Sequence, residues 1–152
     1  MEEQLFKFVR TNNTEKVIQF FKRHRDFDVN FSDEHDNYPI HIATLQNNID
    51  IVVLLLQKGA RIDLLDNSGR SLLYHPIRTG NIQLFDLLVY FTELGTTIYN
   101  IVDSYGETPL FYATKFSSLY VLTELLETKF IKVDSFDKFN NLFIYNAFQK
   151  RD

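Results

Sequence analysis

The chain has 152 residues and a formal net charge of −4, with 45% hydrophobic and 24% charged residues. That is the composition of a globular chain rather than a disordered one, and the acidic balance argues against a nucleic-acid partner. There is no cysteine, which excludes disulfides, thiolate metal sites and cysteine nucleophiles.

The first ten residues, MEEQLFKFVR, open with two acids and lack a long apolar core, so they do not read as a secretory signal. An Asn12-Asn13-Thr14 sequon is therefore read as accidental. The longest apolar run, IVVLLL at 51–56, is far too short to span a bilayer. Phe, Tyr, Asn and Ile are abundant and Ala is scarce, which suits an AT-rich genome such as that of a protist, a virus or an intracellular bacterium.

Along the chain one pattern returns. VNFSD (29–33), IDLLD (62–66), YNIVD (99–103) and VDSFD (133–137) each read β-former, Asn or Asp, two residues, Asp. The closing residues Asp33, Asp66, Asp103 and Asp137 stand 33, 37 and 34 residues apart. A short segment follows each, as in PIHIATLQ (39–46), and Pro39 and Pro109 suit the first turn of a helix. Tyr38, Ser71 and Thr108 precede that turn, where Ser or Thr can cap it.

Asn12, Asn47, Gly80 and Ser117 share the next position, and Asn and Gly tolerate the left-handed backbone that ends a helix. A second apolar-striped helix follows, such as IDIVVLLLQK (49–58), with Gly59 as its stop. Each unit thus reads helix, tight turn, helix, extended hairpin.

The pattern resembles the ankyrin repeat, with its 33-residue period and D-x-x-G-x-T-P-L-H-x-A signature. DSYGETPLFYA (103–113) and DEHDNYPIHIA (33–43) carry the resemblance most clearly. It implies an all-α solenoid of stacked helix-turn-helix units with extended β-hairpin loops. The units would run roughly 1–32, 33–65, 66–102, 103–136 and a partial 137–152, in one domain. Tetratricopeptide or HEAT repeats are the structural alternative, but they lack the Asp-Gly hairpin.

Three departures carry expectations. The first unit lacks the Asp-Gly-Thr-Pro segment, as a terminal cap would. Pro76 stands where other units have Ala43 and Ala113, which predicts a strained or kinked helix. Extra residues near YFTELGTT (90–97) predict a longer second helix in the third unit. The last unit stops after its first helix, so either the chain is part of something longer, which the apolar Leu142, Ile144 and Phe148 favour, or that helix is itself a cap.

The sequence carries no nucleotide, zinc-protease or serine-hydrolase motif, so no enzyme, cofactor or metal is expected. His24, His35, His41 and His75 fall in separate settings, and His41 matches the structural His of the family. The pair Asp63/Asp66 could be an acid dyad. Its copies elsewhere, two of them with Asn, make it hairpin punctuation instead. KRHR (22–25) reads as the basic end of a helix rather than a localisation signal.

The resemblance implies a scaffold or adaptor that binds another protein on its concave face. The alternative is a regulatory or targeting domain of a larger enzyme or transcription regulator. A viral or pathogen effector acting on a host protein is one form of the first. The compartment expected is intracellular, cytoplasmic or nuclear.

By register, the positions facing that partner include His35, Leu45, Arg70, Arg78, Tyr105, Lys115, Phe116 and Phe139. Tyr105, Phe116 and Phe139 are aromatic where the family leaves solvent-facing positions, and aromatic residues anchor interfaces. Arg10, Arg78, Lys115 and Lys150 would form a basic line suited to an acidic or phosphorylated segment.

Overall fold

The computed structural model describes residues 1–92, 97–116, 118–128, 131–134 and 136–138. Among them are eight α-helices and no strand. They come in pairs: α1 (Glu2–Arg10) with α2 (Thr14–Arg23), α3 (Pro39–Leu45) with α4 (Ile49–Gln57), α5 (Tyr74–Thr79) with α6 (Ile82–Tyr90), and α7 (Pro109–Lys115) with α8 (Leu119–Glu127). The first helices stack in one layer, α1 on α3 on α5 on α7. Behind them α2 packs on α4 and α6 on α8.

The helices end where the backbone turns left-handed. Asn12, Asn47 and Gly80 have φ of 53°, 55° and 69°, as their shared register position requires. Each second helix of the first three pairs is then capped by an Asn. Asn13, Asn48 and Asn81 accept hydrogen bonds from the backbone N–H of Lys16, Ile51 and Leu84. The same polar residues tie neighbouring pairs together. Asn48 donates to Asn12 and Thr14, and Thr79 and Asn81 donate to Asn47.

Apolar residues on the facing sides of the helices form one continuous core, including Leu5, Val17, Ile51, Leu55, Leu84, Leu88 and Leu125. In α4, α6 and α8 the buried positions coincide, at Ile51 and Leu55, Leu84 and Leu88, Val121 and Leu125, and in α2 Val17 and Phe21 lie one place further from the cap. They recur at i and i+4, the spacing that puts two side chains on one helical face.

Three expectations about these elements need correction. The first helices are not capped by side chains: Tyr38 and Thr108 make no cap bond. The Ser71 and Thr108 hydroxyls are buried without a hydrogen-bond partner. Pro76 does not kink its helix. Instead α5 begins at Tyr74, two register positions later than α3 and α7, so that Pro76 falls in the first turn, where its missing N–H has no intrahelical partner to lose. Finally, α6 is not lengthened. It has 9 residues, like α4 and α8, and a 3₁₀ turn at Thr97–Asn100 follows the insertion.

Candidate functional site

The Asp that closes each repeated motif builds the turn beneath the first-helix face. Asp33 accepts from the N–H of His35 and Asn37, Asp66 from Ser68 and Arg70, and Asp103 from Tyr105 and Glu107. The N–H of the Asp itself returns a bond to the carbonyl of Asn37, Arg70 or Glu107. At the tip, Asp36, Gly69 and Gly106 take φ of 56°, 73° and 80°.

The second carboxylate oxygen finds a different donor each time: Asn37 and Arg10 at Asp33, Arg70 at Asp66, the Tyr112 hydroxyl at Asp103. Burial works to raise the Asp66 pKa, but the bonds from Arg70 and Ser68 outweigh it and hold it low. Asp63 points elsewhere and pairs with Arg61 at 2.8 Å. Asp63 and Asp66 are therefore each committed to an arginine of their own rather than to each other.

The Asn at the opposite end of the motif has a joining role. Asn30 donates to the Gly59 carbonyl and accepts from the Arg61 N–H, and Asn100 accepts from the Lys132 N–H. A carboxylate could not donate that bond.

The side chains expected at the binding face sort into two groups. Leu45, Arg78, Tyr105 and His35 stand exposed, although the Lys138 ammonium lies over the Tyr105 ring at 4.2 Å. Leu45 and Tyr105 are 55% and 54% accessible, which is high for large apolar groups. Arg70, Lys115 and Phe116 are engaged with their own chain. Arg70 pairs with Asp66 at 2.7 Å and lies over the Tyr74 ring at 4.1 Å.

Lys115 pairs with Glu107 at 2.7 Å. Phe116 is half-buried, its ring edge-on to Tyr74. Phe139 lies outside the described residues, as does Lys150. Among the described residues the expected basic line is thus partly neutralised: Arg10 is taken by Asp33 and Lys115 by Glu107, while Arg78 has no ion pair.

What the structure brings together lies between the second and third helix pairs. Here Leu45, Arg78, Asn37, Asn67 and the Asp66–Arg70 pair border a concavity of ≈ 200 Å³. His41 and His75 form part of its lining and are themselves only 4% and 8% exposed. Burial pushes both down to about 4, so they are neutral near pH 7. Neither ring nitrogen of His41 reaches hydrogen-bond geometry, although the Leu64 backbone and the Asp66 charge oppose the effect of burial.

Sequence reasoning placed His41 as a structural residue but did not pair it with His75. Only their adjacent register on stacked helices, at 41 and one place beyond the equivalent 74, could have signalled the pairing.

Among the described residues no group of three or more His, Asp or Glu could hold a metal ion. No described helix is long and apolar enough to cross a membrane.

Comparison with known proteins agrees with this architecture. The family described as ankyrin repeats (3 copies) matches residues 5–100. The chain is 33% identical over 127 residues to an ankyrin repeat protein, L371, of Acanthamoeba polyphaga mimivirus, covering 81% of this chain and 17% of that protein. It is 27% identical over 136 residues to the phosphocholine transferase AnkX of Legionella pneumophila, covering 90% and 14%.

With an ankyrin repeat protein of fowlpox virus, FPV219, identity is 32% over 87 residues, covering 56% and 20%. The chain therefore spans no more than about a fifth of the length of these relatives. Repeats of this kind mediate protein–protein interaction and are generally non-enzymatic. By the match of its sequence and the geometry of its turns, this chain belongs to the ankyrin-repeat family.

Proposed function

We propose that this chain is a non-enzymatic scaffold that holds a partner protein against its concave, first-helix face. The observation that carries the reading is the exposure of Leu45, Arg78 and Tyr105 on the first-helix side, where Leu45 and Arg78 border a preformed concavity. Stacked helices and hydrogen-bonded turns hold these groups in place before binding, so little ordering is left to oppose association. Relatives from a giant virus, a poxvirus and an intracellular bacterium favour a partner inside a host cell.

Residue-specific photo-crosslinking tests the face. A benzophenone side chain replaces Leu45 or Tyr105, on the first-helix side, or Tyr90, which is 83% exposed on a second helix. Expressed in the cell of origin or its host, the first two variants are expected to form adducts with one protein. Adducts from position 90 with none from 45 or 105 would place the partner on the wrong side and end the proposal.

The relatives also favour a second reading, in which the chain is the interaction module of a larger protein. It covers at most a fifth of each relative described above. The same cross-link pattern is expected when the longer protein carries the label at those positions.

A further inference from the structure

The charges around the concavity define what it can accept. Arg70 is committed to Asp66, and Arg10 and Lys115, on neighbouring first helices, are committed to Asp33 and Glu107. Arg78 makes no ion pair among the described residues, and it is exposed. With Asp66 set against Arg70, the lining carries one unmatched positive charge. The two histidines add none near pH 7, because burial keeps them neutral.

Beside this charge stand the exposed Leu45 side chain, the Asn67 amide and the Asn37 amide, whose nitrogen is already given to Asp33 and whose oxygen is left to accept. An amide both donates and accepts, which suits the backbone of an extended segment.

We propose that this concavity takes a single carboxylate, the side chain of an Asp or Glu in an extended partner segment, on Arg78, with a neighbouring aliphatic side chain seated against Leu45. The proposal rests on the reading that the first-helix face binds a protein, and it names the chemistry of that partner. A lone guanidinium matches one carboxylate through two parallel hydrogen bonds. A phosphate dianion would leave one negative charge unmatched here, beside the Asp66 carboxylate. A long polyanion such as RNA would meet only this one unpaired cation in the row of Arg10, Arg78 and Lys115.

The test is panning of a phage-displayed random dodecapeptide library against the whole chain, followed by fluorescence anisotropy on the enriched peptides as synthetic fluorescein conjugates. Enriched sequences are expected to share an acidic residue beside Leu, Ile or Val. Replacing that Glu by Gln, or Asp by Asn, should weaken binding about tenfold. Arg78→Ala should do the same, while Arg23→Ala, which removes an equal charge from the end of α2, should not. Arg78→Glu should abolish binding of the acidic peptide and accept its acid-to-Lys counterpart.

Enriched peptides without an acid, or full affinity in Arg78→Ala, would overturn the proposal. So would displacement of the peptide by a mixed-sequence RNA oligonucleotide at equal concentration. The two levels of inference separate through Leu45→Asp and Tyr105→Ala. If those weaken peptide binding while Arg78→Ala does not, the face stands and its carboxylate chemistry falls. If none of the three matters, or no peptide is enriched, both fall.

Discussion

The turn residues show how much one backbone position can demand. Asp36, Gly69 and Gly106 share a left-handed φ, which costs a residue with a Cβ about 1–2 kcal/mol. Their surroundings differ. A Cβ on Gly69 would meet its nearest neighbour, Asp103 backbone, at an ordinary 3.6 Å, whereas one on Gly106 would press to 2.5 Å from the Lys138 nitrogen. Gly106→Ala is therefore expected to lower stability by more than Gly69→Ala, itself about 1 kcal/mol. Asp36→Gly is expected to shift it little, because the glycine backbone also costs more to order. Urea denaturation of the three variants checks the order.

His41 and His75 give a pH dependence of definite sign. Their pKa values fall from 6.5 unfolded to about 4 folded, chiefly through burial. The unfolded chain then binds more protons between those limits, so stability is full above the unfolded value and is lost as pH falls from about 6.5 to 4. Asp33, Asp63 and Asp66 have lowered pKa values and withdraw their share only at more acid pH, below the usual carboxylate value of 3.8.

Thermal melts should thus decline between pH 7 and 5. His75→Ile, which copies the residue at the equivalent position Ile42, should flatten that decline. An equal slope in the variant would remove His75 from the account.

At the scale of the helix, the caps decide which ends are firm. Asn48 caps α4 and also reaches Asn12 and Thr14, so Asn48→Ala should cost about 1–2 kcal/mol. Ser118, its counterpart at the start of α8, makes no cap bond, and Ser118→Asn should gain about 0.5–1 kcal/mol. Proline shows the same dependence on position.

Pro76→Ala should change stability by less than about 1 kcal/mol, because Pro76 sits in a first turn. Ala43→Pro, at the equivalent register but in the interior of α3, should cost about 3 kcal/mol or more. Comparable losses from both would mean that α5 does not start at Tyr74.

At the scale of the molecule, stability is a sum of units and the joints between them. Asn47 accepts from Thr79 and Asn81 across one joint. Gly80, at the same register, has no side chain to accept from the following pair. That joint relies instead on the Tyr74–Tyr112 ring contact, the Ser104 N–H to Ser68 carbonyl bond, and the Tyr120 hydroxyl donating to Asp86.

A Cβ at Gly80 would meet nothing within 4 Å, so there is room for an Asn. Gly80→Asn combined with Ser118→Asn should rebuild the missing rung, with a coupling of about 0.5–1 kcal/mol beyond the sum of the single changes. A double-mutant cycle on chemical denaturation measures it, and strict additivity would show that the rung does not form.

The sequence alone determined the repeat and its punctuation, because those features are local. A left-handed Asn or Gly and an Asp that bonds its own turn act over a few residues and leave their spacing in the chain. The family, the helix pairs and the turn role of Asp66 were therefore legible from VNFSD, IDLLD and YNIVD. Which side chains remain free was not legible, because that depends on residues far apart in the chain. Arg10 and Asp33 are 23 positions apart and Lys115 and Glu107 are 8, yet each pair cancels on a face where register alone suggested a basic row.

Likewise Phe116 is partly withdrawn by Tyr74 on a neighbouring helix, and the late start of α5 turns Pro76 from a kink into an ordinary first-turn residue. Periodicity could place all of these residues on one face. Only the stacked structure, by bringing charges and rings within contact distance, decided that Leu45, Arg78 and Tyr105 stay exposed there while Arg70 and Phe116 do not.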